Sequence, residues 1–408
     1  MQKTTLRPAA DSQPGSVLPT AESPLSLRQR AEAVAKIAAQ HAVEVDRDAR
    51  FPVEAFDAMR EKRLLGAAIP AALGGDGSNL IELADACCVL GRSCASTGLM
   101  YAMHQINTAC VVSHARKSGW LADFQRRIAE NQLLLASSTT EGAKGGDLRS
   151  SDAAIQKDGL RITLRRDASV ISYGEYADAI ITTARANDAA DSSDQALVAF
   201  ERKDYTLRRC QSWDTLGMRG TCSGGFILEA QGHQAQILSD PYAIIHAQTM
   251  MPLANILWSA VWTGIAAGAV QRARAFVRMA AGPGAMKLPP GAAHLTRARA
   301  SLETLHGMVQ SAASRVSATS HDAERSTMVE YQLALNLHKV ESSELSVSII
   351  LSAMRACGLA GYRNDGEFAM GRYLRDILSA PIMISNDRIL ANAQLSTLIS
   401  EPPLGLLE

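Results

Sequence analysis

Trp213-Asp214-Thr215-Leu216-Gly217-Met218-Arg219-Gly220-Thr221 is a turn rather than an element, because two glycines punctuate nine residues and a lone guanidinium stands between them. The chain on either side of it has the texture of short strands. Gln132 to Ser138, Leu160 to Leu164, Ala179 to Thr183, Gln195 to Glu201 and Gly225 to Leu228 are brief, and several are rich in Val, Ile, Leu and Thr. Turn material at Gly142 to Asp147 and Asn187 to Asp194 separates them. The spacing predicts a small β barrel or sandwich over residues 132–238.

Both flanks of this region are helical. Upstream, Leu27, Ala31, Val34, Ala38, Ala42 and Val45 recur at helical spacing, and Ser26 with Gln29 has the form of a capping box. Further helical stretches at about Val53 to Lys62, Leu80 to Gly91, Ser96 to Ala115 and Trp120 to Glu130 complete a helical domain over residues 26–131. Downstream, patterns at roughly Ala243 to Ala280, Ala292 to Ser320, Met328 to Cys357 and Pro381 to Leu398 predict a four-helix bundle over residues 239–408. The fold class is therefore α+β, with a helical domain, a β domain and a bundle in chain order. Residues 1–25, rich in Pro, Ser, Thr and Ala, read as a disordered leader without a secretory apolar stretch.

Composition narrows the function classes. In 408 residues, 47% are apolar and 20% charged, which suits two or three packed units. Basic and acidic residues balance at 41 each, leaving no surplus of positive charge for nucleic acid or an anionic membrane surface. The apolar stretch near Met250 to Val270 is broken by Asn255, Ser259 and Thr263, so the expectation is a soluble, cytoplasmic protein. Seven cysteines without metal-ligand spacing read as reduced core residues, and no metal is expected.

Segments at Phe51 to Gly75, Gly91 to His104, Ser138 to Asp147, Ser169 to Gly174, Trp213 to Thr221 and Cys357 to Asp376 together resemble the acyl-CoA dehydrogenase family, over nearly the whole chain from about residue 26. Phe51-Pro52 through Leu64-Leu65-Gly66, Ile69-Pro70 and Gly74-Gly75 look like its first helix, turn and glycine pair. Gly91 to Thr97 followed by Tyr101-Ala102-Met103-His104 resembles the helix beside the substrate pocket. Ser138-Thr139-Thr140-Glu141-Gly142 through Asp147 resembles the flavin loop, making Thr139 and Thr140 cofactor candidates. The family's usual serine is replaced there by Gly146. Ser169-Val170-Ile171-Ser172-Tyr173-Gly174 resembles the strand on the flavin, with Ser172 near the reactive nitrogen and Val170 where an aromatic often stacks. The turn at Trp213 to Thr221 matches the family's Gly-x-Arg-Gly-Thr/Ser, so Arg219 and Thr221 join the cofactor candidates, Arg219 alternatively as an internal ion-pair residue. Finally, Cys357 to Tyr362 and Gly371 to Asp376 resemble the bundle loop that supports the FAD diphosphate of a neighbouring subunit. Arg355 stands there in place of glutamine, with Gly358, Gly361 and Asn386 as further contacts, while no Arg-x-x-Phe-Gly follows Arg278.

The resemblance implies FAD, an acyl-CoA or acyl-carrier-protein substrate, an electron acceptor, and a homodimer or homotetramer. Dehydrogenation also needs a carboxylate to take the α proton while hydride leaves the β carbon. Counting on from Arg375-Asp376, the usual glutamate position is Ile384, and the second known placement falls at Ala254 or Asn255. Neither position is acidic. The function expected is an α,β-dehydrogenase with a relocated base, Asp387 first and Glu367 or Glu341 next; the alternatives are a monooxygenase or oxidase using reduced flavin and O2, with His104 positioning or protonating the activated oxygen, and a non-catalytic flavin-binding relative. His104 is otherwise a satisfied structural histidine.

Overall fold

A computed structural model of the protein describes residues 25–115, 118–141, 149–285, 288–319 and 322–402. Leu27–Asp48 (α1) begins at Ser26, whose hydroxyl accepts from the Gln29 amide while Gln29 Oε1 accepts from the Ser26 amide, the reciprocal box expected from the sequence. Val53–Glu61 (α2), Leu80–Ser93 (α3), Ala95–His114 (α4) and Gly119–Asn131 (α5) follow. Of these α4 is the most enclosed, burying Leu99, Met100, Tyr101 and Ala102 along with polar His104, Gln105 and Asn107.

The middle region forms two sheets. Leu135–Ser138 (β1) runs parallel to Ala179–Arg185 (β4), which pairs antiparallel with Gln195–Glu201 (β5). Gln156–Asp158 (β2), Arg161–Ala168 (β3), Tyr205–Gln211 (β6) and Gly225–His233 (β7) make an antiparallel sheet of order β2-β3-β7-β6. In β3 every second residue turns inward, burying Ile162, Leu164, Arg166 and Ala168. Arg166 in that inward row donates to Thr183 O of the other sheet and lies 3.3 Å from the Glu141 carboxylate, so one guanidinium ties both sheets together.

In the third region Tyr242–Ile245 (α6) runs through a π turn at His246–Met250 into Met251–Ala281 (α7). Ala292–Thr319 (α8), Ala323–Thr327 (α9) and Val329–Cys357 (α10) come next, then the shorter Leu359–Tyr362 (α11), Gly371–Ile377 (α12), Ser379–Ile382 (α13) and Asn386–Ile399 (α14). The helix Tyr242–Ala281 is long and apolar enough to cross a membrane, but 83% of its most apolar window is buried, which identifies it as a core helix. Gly264 of α7 sits so close to α3 that a Cβ there would strike the Cys88 carbonyl. Close approach at this point packs the bundle onto the first helical region.

The fourth bundle helix differs from the expectation of one helix from 381. It is broken after Ile382, because Ile384 and Ser385 take left-handed φ values of 54° and 30°, and α14 restarts at Asn386 with the Ser385 hydroxyl capping the Arg388 amide.

The turn at 213–221 is where all three regions meet. Gly217 approaches α12 so closely that a Cβ would overlap the Arg375 carbonyl. Next to it, the Met218 amide donates to Asp376 Oδ1 at 2.7 Å. Arg375 donates to Asp46 Oδ1 at 2.9 Å and to Leu216 O at 3.0 Å, and Arg219 Nε donates to Asp46 O at 2.8 Å.

Candidate flavin and substrate site

A ridge of short polar side chains forms where β3 ends against the turn after Thr221. The Ile171 amide donates to Gly224 O at 2.9 Å and the Tyr173 amide to Thr221 O at 2.8 Å, zipping the two segments together. Ser169 Oγ reaches Thr140 Oγ1 at 3.1 Å, which brings the end of β1 to the same ridge. Ser223 Oγ donates to Ser172 Oγ at 2.8 Å and lies 2.7 Å from Thr221 Oγ1. A hydroxyl carries one hydrogen, so with Ser223 donating to Ser172 the Ser172 hydrogen is left to point outward. Beside it the Val170 side chain is 38% exposed.

These features fit the edge of a flavin. A flavin's polar rim could take hydrogen bonds from donors such as the Ser172 hydroxyl and the half-buried Thr139 and Thr140, and its apolar face could rest on Val170. Thr221 Oγ1 lies 2.7 Å from Ser223 Oγ and 2.9 Å from Met218 O, and its one hydrogen serves one of these acceptors at a time. Ser223 was not among the sequence candidates, and its one signal is the glycine pair Gly224-Gly225 that lets the chain fold back beside Ser172. Under the ridge, Glu141 accepts from Ser151 Oγ at 2.9 Å, the Asp152 amide at 2.6 Å and the Ala153 amide at 3.2 Å, so it closes the base of the loop. Gly142 to Asp147 of that loop, including Gly146, lie outside the described residues.

Three predicted side chains are committed elsewhere. Arg219 was expected on the cofactor, but its guanidinium donates to Asp46 O, to Thr215 O at 3.0 Å and toward Asp214, so it is the internal tie that was its alternative. Asn386 is buried, with Oδ1 accepting from Lys339 at 2.7 Å and Nδ2 donating to Ser343 Oγ at 3.0 Å and Glu344 Oε1 at 2.8 Å, which leaves no amide atom for a cofactor. His104 is wholly buried in α4. Its Nε2 faces Leu65 O at 2.7 Å and its Nδ1 accepts from the Leu135 amide at 3.1 Å. A carbonyl only accepts and an amide only donates, so the hydrogen is on Nε2 and neither nitrogen is available to oxygen or substrate. Burial also pushes this imidazole down to about 4, keeping it neutral at pH 7. His104 is thus a strut between the Leu64-Leu65-Gly66 turn and β1.

The remaining candidates lie at the bundle surface. Arg355 at the end of α10 is exposed, and its guanidinium has no partner among the described residues. Gly358 after it has φ 56° with open space where a Cβ would be, whereas Gly361 is buried against Cys357. Arg355 and Gly358 therefore suit a diphosphate, and Gly361 suits helix packing. Asp387 is exposed in the first turn of α14. Ile384 is half-buried, and the Asn255 amide donates to Leu335 O at 3.1 Å.

Residues 22–124 match the family domain described as Acyl-CoA dehydrogenase, N-terminal domain, and residues 256–385 match Acyl-CoA dehydrogenase, C-terminal domain. The chain is 27% identical over 254 residues to cyclohex-1-ene-1-carbonyl-CoA dehydrogenase of Geobacter metallireducens, covering 62% of this chain and 67% of that one. It is 26% identical over 355 residues to L-evernosamine nitrososynthase of a Micromonospora species, covering 84% and 82%. Among solved structures, FMN-bound TdsC of Paenibacillus sp., a dibenzothiophene monooxygenase, superposes with TM-score 0.81 at 18% identity over 92% of this chain and 98% of its own. On the two domain matches and the shared architecture, the chain belongs to the acyl-CoA dehydrogenase family of flavin-dependent oxidoreductases, whose members use FAD.

Proposed function

We propose that this protein is a reduced-flavin oxygenase that inserts one oxygen atom from O2 into a small organic substrate. The observation that carries this is that, among the described residues, no carboxylate stands where the family resemblance implies a base: Ile384 occupies one position, Ala254 or Asn255 the other, and Asp387, Glu367 and Glu341 face solvent. Oxygenation has no need of that carboxylate. Bound reduced flavin supplies the two electrons that let one oxygen enter the substrate while the other leaves as water with two protons. The chain's own contribution is to hold the flavin rim with Thr139, Thr140 and Ser172, to rest its face on Val170, and to place Arg355 and Gly358 for the diphosphate.

Arg355 and Gly358 face outward, beside Leu359 and Tyr362 at 73% and 75% exposure, and α14 exposes Leu395, Leu398 and Ile399. This apolar face supports a homodimer or homotetramer in which the loop serves a neighbouring copy. A separate reductase would deliver reduced flavin, and the cytoplasm is the proposed compartment.

Dehydrogenation of an acyl thioester is the second possibility, favoured by the likeness to a dehydrogenase whose name specifies a CoA thioester. Asp387, moved inward, would then be the base. Anaerobic titration of the flavin-loaded protein with acyl thioesters separates the two. The expected outcome is flavin that stays oxidised with every thioester, alongside substrate oxygenation that takes its atom from isotopically labelled O2 when reduced flavin is supplied. Bleaching by a thioester in the absence of oxygen would overturn the oxygenase in favour of the dehydrogenase.

A further inference from the structure

A lysine lies at the centre of the bundle with none of its surface exposed. Lys339 of α10 donates from Nζ to Ala380 O of α13 at 3.1 Å and to Asn386 Oδ1 at the start of α14 at 2.7 Å, and it stands 5.8 Å from the centroid of the Trp262 ring on α7. Its two acceptors bracket the break in the fourth bundle helix. Between them Ile384 and Ser385 hold left-handed backbone, a conformation that a β-branched residue keeps only where its surroundings over-determine it. Bonds inside the segment, from the Met383 amide to Ser379 O and the Ser385 amide to Ile382 O, both at 2.8 Å, finish α13 but do not reach the bundle.

Asn386 passes the tie onward, because the amide that accepts from Lys339 donates to the Glu344 carboxylate. Ammonium, amide and carboxylate therefore stand in line across α10 and α14. Around them are the Ser259–Ser342 hydroxyl pair linking α7 to α10, Ser343 of α10 and the Trp262 indole. Enclosing an ammonium is costly, and an apolar side chain of similar size would pack there without that cost. The other end of the same segment is fixed as well: Asp376, ahead of α13, accepts from the Met218 amide in the turn beneath the flavin ridge.

We propose that Lys339 is a positioning residue of the site, a clamp that fixes the Ile384–Ser385 turn so that the Asp376–Asn386 segment stays in register with the flavin ridge. The clamp acts on the backbone and is the same for oxygenation or dehydrogenation, so its test stands or falls apart from the choice between them. Burial draws the ammonium down to about 8, with the Glu344 carboxylate opposing the shift, so the clamp loses its charge within reach of ordinary buffers.

The test compares the full-length flavin-loaded protein with its Lys339→Met variant by amide hydrogen exchange. In the variant, amides at 383–388 are expected to exchange about tenfold faster or more while those of α1 to α5 are unchanged. In activity assays KM should rise more than kcat falls, and the wild-type change in KM as pH passes about 8 should be absent from the variant. If Lys339→Met does not fold, the double variant Lys339→Met with Asn386→Leu removes both polar partners together and is measured in the same way. Exchange at 383–388 that is unchanged, or that quickens equally throughout α10 and α14, overturns the clamp.

Discussion

Single residues in this protein divide sharply by whether their polar atoms are already taken. His104 shows the consequence. Replacing it with Phe leaves the Leu65 carbonyl and the Leu135 amide unpaired in the core, and each buried orphan costs about 1–3 kcal/mol. Chemical denaturation of His104→Phe is expected to show a loss of roughly 2–5 kcal/mol, and an unchanged midpoint would exclude the strut. The capping pair Ser26 and Gln29 was legible because its partners lie three residues apart. The partners of Arg219 and Asn386 were not, since Asp46 and Lys339 lie far away in sequence, although an internal role for Arg219 was among the expectations. Sequence spacing sets which residues share an element, but tertiary contact decides where a long side chain points.

At the scale of elements, long helices were legible from periodicity and short polar strands were not. β2 is exposed at all three residues and β6 is exposed over most of its length, so neither shows the alternation that marks a half-buried strand. The break at Ile384 was hidden for a different reason, because nothing in Ile382-Met383-Ile384-Ser385 is a breaker and the left-handed backbone is imposed from α10. Turns make the tightest contacts between elements. Gly217→Ala would place a methyl group against the Arg375 carbonyl, forcing the 213–221 turn away from α12, with an expected cost of about 1–3 kcal/mol as for other overpacked sites. Thermal unfolding measures this, and a variant as stable as the parent would show that the turn is free to shift.

Over the whole molecule, buried titratable groups set the response to acid. Burial holds His104, His246 and His338 down at about 4, below the ordinary 6.5, with the Arg149 cation adding to the shift of His246 and the Arg315 cation to that of His338. Between those values the unfolded chain binds more protons than the folded one, so stability drops as pH falls from about 6.5 toward 4. Asp376 works in the opposite sense. Burial raises it to about 6 from 3.8, so in that window the folded state binds the extra proton and acidification favours folding. Three histidines against one carboxylate predict a net loss, to be followed as the denaturation midpoint between pH 7 and pH 4; a midpoint that rises on acidification would contradict it. Family membership and the three-part architecture were legible in the sequence because they rest on many positions at once, whereas the reaction rests on the few that differ.

The meeting of Asp46, the 213–221 turn, Arg375 and Asp376 also sets a schedule for the chain's assembly. Residues 329 positions apart in sequence must be present together before this junction closes. A growing chain that has already brought β3 against the turn after Thr221 still lacks the Asp376 carboxylate that accepts from the Met218 amide and the Arg375 guanidinium that donates to Asp46. The first two regions can gather their own cores during synthesis, yet the junction beneath the ridge proposed for the flavin closes only when the last tenth of the polypeptide arrives, a late event in the life of each new molecule.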